Sequence, residues 1–240
     1  VGTMSRTVIV GDVHGCCAEL QELLARVGFS DDDHLYFVGD LVGRGPDTLG
    51  VLALAQQLGA VAVRGNHEQK LLSFVQSQRE GGPLVRLGPG HLQLVHSLSE
   101  QDWAWLEAMP LWHDLPEHDL RIVHAGVKPG VPIEATDTGI LLTIRAITQR
   151  GQASITRGGE PWARWYHGPP HIVFGHNALM HPQLHPWATG IDLGCVYGGF
   201  LAALVLGPGQ TIPSIEERQE LLVSVSARRA YYPVRKNYGR

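Results

Sequence analysis

Cysteine is scarce: the 240 residues hold three, Cys16, Cys17 and Cys195. An odd number with two adjacent gives neither a disulfide framework nor a CxxC metal clip, so the three are expected to be small buried hydrophobes in a reducing compartment. No apolar run approaches the roughly 18–20 residues of a membrane span, and the N-terminal stretch lacks a signal-peptide pattern. Charge of one sign is also lacking. Nineteen Lys and Arg face 23 Asp and Glu, and a net charge of −4 exerts no general pull toward nucleic acid or anionic membrane. There is no repeat, no low-complexity segment and no linker long enough to separate two domains. These absences leave a cytoplasmic globular protein without membrane contact. It is expected to form one domain over 1–240, with a core at about 7–206 and a C-terminal strand and basic tail over 214–240.

What the chain does have is histidine, thirteen in all, which favours metal or phosphate chemistry. Val8-Ile9-Val10 runs into Gly11-Asp12-Val13-His14-Gly15, the pattern of a buried strand ending in a tight loop that carries one oxygen and one nitrogen ligand. Gly39-Asp40-Leu41-Val42-Gly43-Arg44-Gly45 and Gly65-Asn66-His67-Glu68 follow apolar runs of their own in the same way. Further on, apolar runs open onto His124-Ala125-Gly126 and Gly175-His176-Asn177.

The intervening residues alternate with these strands. Strands are expected at Thr7–Val10, Leu35–Val38, Ala60–Val63, Leu120–Val123 and His171–Phe174, with Ile191–Leu193 and Phe200–Leu206 as a further pair. Helical spacing marks Cys17–Val27, a helix starting at Pro46 and Asp47, and Gln69–Gln78. Ser99 and Asp102 open another through Met109. Residues 81–90, rich in glycine and proline, are expected to be a loop, and Ile140–Ile147 a helix carrying Arg145. Alternation at Leu222, Val223, Val225 and Ala227 suggests a last edge strand, before a tail with Arg228, Arg229, Arg235, Lys236 and Arg240. The β-α-β-α-β-α order of the first 80 residues argues for an α/β protein with a largely parallel sheet.

Open α/β sheets gather their chemistry at the C-terminal ends of strands. Asp12, His14, Asp40, Asn66, His124 and His176 would meet there as an oxygen and nitrogen ligand set with no thiolate. Two cations fit it: Asp12 and His14 hold one, Asn66, His124 and His176 the other, and Asp40 bridges them. Such a pair lowers the pKa of water and neutralises a phosphate under attack.

GDVHG (11–15), GDLVGRG (39–45), GNHE (65–68), HAG (124–126) and GH (175–176) resemble, in order, the signatures of the PPP phosphoesterases within the calcineurin-like metallophosphoesterases. The resemblance spans about Val8 to Leu206. It implies an αββα sandwich of two mixed sheets flanked by helices and a dinuclear centre holding Mn, with Co, Mg, Fe or Zn as alternatives. It further implies that His67 is the general acid and that Arg44, with Arg145, binds substrate phosphate. Protein Ser/Thr phosphatases of this family carry, at the place of Gly43, an Asp that supports the catalytic histidine, so His67 needs another means of orientation. Neighbouring Glu68 cannot be assumed to supply it.

A small residue followed by Arg44-Gly45-Pro46 is similar to the symmetrical diadenosine tetraphosphatases and their ApaH-like relatives. Ile191-Asp192-Leu193-Gly194-Cys195 and Tyr197-Gly198-Gly199 resemble their C-terminal signature. The expected activity is therefore hydrolysis of dinucleoside polyphosphates, with diadenosine tetraphosphate cut symmetrically into two ADP. A phosphoprotein phosphatase is the nearest rival, and polyphosphate or nucleotide-capped RNA are further substrates that the resemblance allows. Tyr197, Trp162 and Trp165 are candidates for stacking on adenine by position only, and core packing is the better reading of each.

Overall fold

The computed structural model describes residues 5–81, 83 and 85–233. Arg235, Lys236 and Arg240 of the basic tail lie outside the described residues. The first half alternates as expected: β1 (Thr7–Val10), α1 (Cys17–Val27), β2 (His34–Phe37), α2 (Thr48–Gln57), β3 (Val61–Ala62) and α3 (Asn66–Glu80). Helix α1 turns Leu20, Leu23, Leu24 and Val27 inward and stops at Gly28, whose left-handed φ of 63° lets its N–H close on Ala25. Two further helices follow, α4 (Pro89–Ser97) and α5 (Glu100–Ala108), the latter opened by the expected Ser99–Asp102 capping box.

The second half is mostly strand: β4 (Trp112–Leu115), β5 (Leu120–Val123), the short helix α6 (Thr138–Thr143), β6 (Ala146–Ile147), β7 (Ala153–Ser154) and β8 (Glu160–Pro161). It ends with β9 (His171–Phe174), β10 (Gln183–His185), β11 (Ala188–Gly190), β12 (Phe200–Leu206), the single-turn α7 (Ile215–Arg218) and β13 (Leu222–Ser226).

Two five-stranded mixed sheets result, in the orders β13-β12-β1-β2-β3 and β10-β11-β9-β5-β4. In the first, β1, β2 and β3 are parallel and β12 and β13 antiparallel. In the second, β5, β9 and β11 are parallel with antiparallel edges. Strand alternation divides the side chains between layers. Ile9 of β1 and Val173 of β9 meet in an inter-sheet core with Leu120, Ile122 and Leu204. Val8 and Val10 face α1 and α2 on the other side, whereas Ile172 and Phe174 face Trp162 and Leu141 on the outside of the second sheet. This is the αββα arrangement of two mixed sheets flanked by helices.

Four expectations change. Pro46 lies outside the helix expected to start there, because Asp47 is the N-cap, accepting the Gly50 N–H at 2.8 Å, and α2 begins at Thr48. Arg145 is not on a helix, because α6 stops at Thr143 and Arg145 enters β6. Ile191–Leu193 is loop, and the strand before it is β11, already paired with β9. Residues 81–90 do not remain loop to their end: Pro89 starts α4, suited to a first-turn position where no N–H is needed. All three cysteines are buried and unpaired, as expected.

Ile9 is fully buried between the sheets. Ile9→Ala should lower the unfolding free energy by about 2–5 kcal/mol, read as a reduced denaturant midpoint at unchanged slope.

Candidate metal centre

Six parallel strands point their C-terminal ends into one place. Asp12 and His14 follow β1, Asp40 follows β2, Asn66 and His67 follow β3, His124 follows β5, His176 follows β9, and Asp192 follows β11. The backbone is bent hard to achieve this. Among the described residues only five non-glycine side chains have positive φ, and His14 (47°), Asp40 (52°), Arg44 (66°) and His176 (64°) are four of them. Left-handed backbone at such residues costs on the order of 1 kcal/mol or more each and persists where surrounding contacts hold it.

Asp40 lies at the middle of the group. Its Oδ2 is 3.4 Å from His14 Nε2 and its Oδ1 is 3.5 Å from His124 Nε2. Asp12 Oδ2 lies 4.0 Å from His14 Nε2 and completes that side. On the other side Asn66 Oδ1 is 3.1 Å from His124 Nε2 and 2.8 Å from His176 Nδ1. Two clusters of ligand atoms within 4.8 Å of one another emerge, one of His14, Asp40 and His67 and one of Asp40, His124 and His176, with Asp40 in both. The structure thus brings together all six residues expected to hold metal.

Three observations show that this donor set fits divalent cations. His14 Nδ1 and His124 Nδ1 each face a backbone carbonyl, Val42 O at 3.2 Å and Val38 O at 2.8 Å. A ring that donates through Nδ1 turns the lone pair of Nε2 toward the centre, the arrangement that fixes a histidine as a ligand. His176 Nε2 is buried without a hydrogen-bond partner among the described residues. Finally, Asp12, Asp40 and Asp192 are all buried and face one another. Burial raises all three acids, Asp40 to about 7, and the Asp192 and Asp40 charges push Asp12 further up. Crowded, desolvated carboxylates of this kind need cationic charge to stay ionised. Burial holds His14 and His176 below the ordinary histidine range, which keeps their lone pairs free.

Glu68 is a functional residue that sequence reasoning did not place. Its carboxylate is fully buried and accepts four backbone N–H groups, from Asp40 (2.9 Å), Leu41 (2.8 Å), Val42 (3.1 Å) and Gly65 (2.9 Å). It pins the Asp40 loop to the start of α3 and does not orient His67. Burial and the Asp40 charge push its own pKa up to about 7. The signal was present in the sequence: Glu at the third position of a helix is where a side chain reaches back to the cap. Gly65, the cap itself, has no side chain, so Asp40 Oδ1 takes the His67 N–H at 2.9 Å. A Cβ on Gly65 would collide with that oxygen. Asp192 joins the site too: the sequence pattern puts a strand at Ile191–Leu193, but β11 ends at Gly190 and leaves Asp192 in the loop that follows.

The residues expected to touch substrate divide. Arg44 NH1 lies 3.0 Å from His14 Nε2, and its guanidinium stands 5.4 Å from the ring of Tyr197 and 5.7 Å from that of Tyr232. Arg145 donates to Ile155 O at 3.2 Å, its charge reaches Asp40, His124 and His176, and its Nε is buried without a partner among the described residues. Trp162 is core, its Nε1 donating to Ala125 O at 3.0 Å, whereas Trp165 is 52% exposed and packs no core. A cleft of about 770 Å³ opens beside the centre, lined by Arg44, Asn66, His67, Lys70, His91 and Tyr232 among others. Among the described residues no helix is long and apolar enough to cross a membrane.

Comparison with known proteins identifies the family. The family described as "Calcineurin-like phosphoesterase" matches residues 5–191. The chain is 34% identical to the asymmetrical bis(5'-nucleosyl)-tetraphosphatase PrpE of Halalkalibacterium halodurans, over 89% of this chain and 95% of that protein. To the symmetrical bis(5'-nucleosyl)-tetraphosphatase of Shewanella oneidensis it is 42% identical, over 58% of this chain and 51% of that one. A solved structure described provisionally as a diadenosine tetraphosphatase superposes with a TM-score of 0.78 at 35% identity, covering 94% of this chain and 95% of the other. A serine/threonine phosphatase from Saccharomyces cerevisiae superposes at 0.58 with 15% identity over 97% of this chain and 81% of its own, a likeness of fold alone.

Asp40→Asn should lower bound metal per chain, measured by elemental analysis after loading with manganese, while leaving the fold intact by circular dichroism. Glu68→Ala should weaken Mn²⁺ affinity by about 10–100-fold in calorimetric titration, as loss of a group that orients a ligand does. Unchanged affinity would show that the Asp40 loop holds its shape without that carboxylate.

Proposed function

The chain belongs to the calcineurin-like phosphoesterase family, and on that premise we propose that it is a metal-dependent hydrolase of dinucleoside polyphosphates. The observation that carries this reading is the pair of ligand clusters sharing Asp40, set beside a cleft whose wall holds Arg44 and Lys70. Asp12, His14 and Asp40 would hold one divalent cation and Asp40, Asn66, His124 and His176 a second, manganese being the first choice. Bound there, such ions supply a water of lowered pKa and neutralise the phosphate oxygens under attack.

The protein's own groups do the rest. Guanidinium suits bidentate contact with phosphate, so Arg44 and Arg145 clamp the bridge oxygens from two sides. The Arg44 guanidinium lies against the rings of Tyr197 and Tyr232, which contact each other edge to face at 6.3 Å and together restrict where it can reach. His67, in the first turn of α3, gives its proton to the oxygen that leaves as the phosphorus–oxygen bond breaks. Burial and neighbouring His14, Arg44 and His91 hold the free His67 well below the usual histidine range. The negative charge of a bound polyphosphate acts in the opposite direction and favours the protonated ring. The cleft volume accommodates a nucleoside next to the bridge.

The 42% identity to the symmetrical enzyme, over 58% of this chain, favours cleavage of diadenosine tetraphosphate into two ADP. Near-full-length similarity to the asymmetrical PrpE favours the second reading, ATP plus AMP. Manganese-loaded protein given diadenosine tetraphosphate and a phosphopeptide side by side separates the readings. ADP alone supports symmetrical cleavage, and equal ATP and AMP the asymmetrical. Faster turnover of the phosphopeptide would overturn the proposal in favour of a phosphoprotein phosphatase.

His67→Ala should retain both metals yet lose turnover by about 10²–10⁴-fold on poor leaving groups. Loss of metal in that variant would instead make His67 a ligand of the cluster it shares with His14 and Asp40.

A further inference from the structure

We propose that His91 is the positioning residue for His67, its Nε2 accepting a hydrogen bond from His67 Nδ1–H and so aiming the other nitrogen of that ring at the leaving oxygen. The proposal rests on the reading of His67 as the proton donor. The two nitrogens are 3.0 Å apart, and the rings lie 4.9 Å between centroids at 36°. The same His67 ring packs edge-on against His14 at 4.7 Å, so one imidazole spans from the candidate metal ligands to the cleft wall. A protonated imidazole carries hydrogen on both nitrogens, and a buried N–H requires an acceptor. His91 Nε2 is the acceptor that the structure supplies.

Gly43 explains how a residue from so far along the chain reaches this place. A Cβ built on Gly43 would stand 3.0 Å from His91 Nε2 and 3.2 Å from His67 Nδ1. Any side chain at position 43 would therefore crowd both nitrogens, on the side where the carboxylate of the Ser/Thr phosphatase pattern would be expected. Its absence lets the His91 imidazole in. The Gly43 loop is itself held by its N–H on Thr48 Oγ1 at 3.0 Å, and α4 is seated through Leu94 and Val95 against the helical core. His91 is half-buried next to Lys70 and Arg44, and burial together with those charges moves it down to about 4, so it stays neutral and keeps a lone pair to offer. Unlike a carboxylate, a neutral acceptor orients His67 without adding a counter-charge to it.

The test compares the manganese-loaded wild type with H67A, H91A, H91Q and the double variant H91A/G43D. The substrates are phenyl phosphate, a poor leaving group, and 4-nitrophenyl phosphate, a good one. H91A should lose kcat by about tenfold or more on phenyl phosphate, with a much smaller loss on 4-nitrophenyl phosphate and KM unchanged on both. H91Q, which keeps a neutral acceptor, should retain more than H91A, and H91A/G43D should regain rate by returning an acceptor to the same space. In metal-free protein with ¹⁵N-labelled histidine, a slowly exchanging His67 Nδ1–H should be seen in the wild type, vanish in H91A and return in H91A/G43D. Equal loss on both esters, an effect on KM alone, no gain from G43D, or survival of the resonance in H91A would each overturn the proposal. If H67A does not distinguish the esters while the resonance still depends on His91, it is the acid role of His67 that fails.

Discussion

The centre depends on one buried carboxylate kept where a carboxylate does not want to be. Asp40 is 2% exposed, lies on a backbone with φ of 52°, and has the imidazoles of His14 and His124 within 3.5 Å on its two sides. Neither the strain nor the desolvation would persist on a free loop. Glu68 makes both tolerable by accepting the N–H groups of Asp40, Leu41 and Val42 at once, and the start of α3 adds the His67 N–H on Asp40 Oδ1. A second buried acid therefore holds the first. Keeping these carboxylates ionised calls for cationic charge beside them, which ties the ionisation of the loop to the metals it would bind.

The two sheets serve this constraint in different ways. The first brings Asp12, His14, Asp40, Asn66 and His67 from three adjacent parallel strands, all within the first 70 residues. The second sheet contributes His124 and His176 from β5 and β9, and Asp192 after β11. Contact between Ile9, Val173 and their neighbours fixes one sheet against the other, so packing between sheets sets the separation of the ligand clusters. Close backbone approach is part of the same fit. Gly175 allows the Asp12 carboxylate to lie against it and to accept the His176 N–H at 3.1 Å, and a Cβ there would collide with Asp12.

Much of this is legible in the sequence. Apolar runs that end in Gly-Asp or Gly-Asn-His carry the strand and its ligand in one short word, because β-formers and a tight loop are both local properties. Local periodicity likewise placed α1, β5 and β9 with the bounds they have. Other features were not local. Helix α4 begins in a stretch punctuated by glycine and proline and has no fully buried residue, so no amphipathic pattern announced it. Arg145 followed an apolar run that reads as helix, yet sheet pairing of β6 with β7 and β8 ends the helix before it.

The sequence by itself therefore determined the ligand types, their strand-end placement and the gap at Gly43, since each is written in consecutive residues. Only the tertiary structure decided what fills that gap. His91 is 24 residues from His67 in the chain, and the two rings meet because α4 packs against the helical core. The same is true of Glu68, whose hydrogen bonds from Asp40, Leu41 and Val42 exist only once β2 and β3 are paired and their loops converge. Consecutive residues can fix a strand and its turn, but a hydrogen bond between distant residues depends on how the layers close.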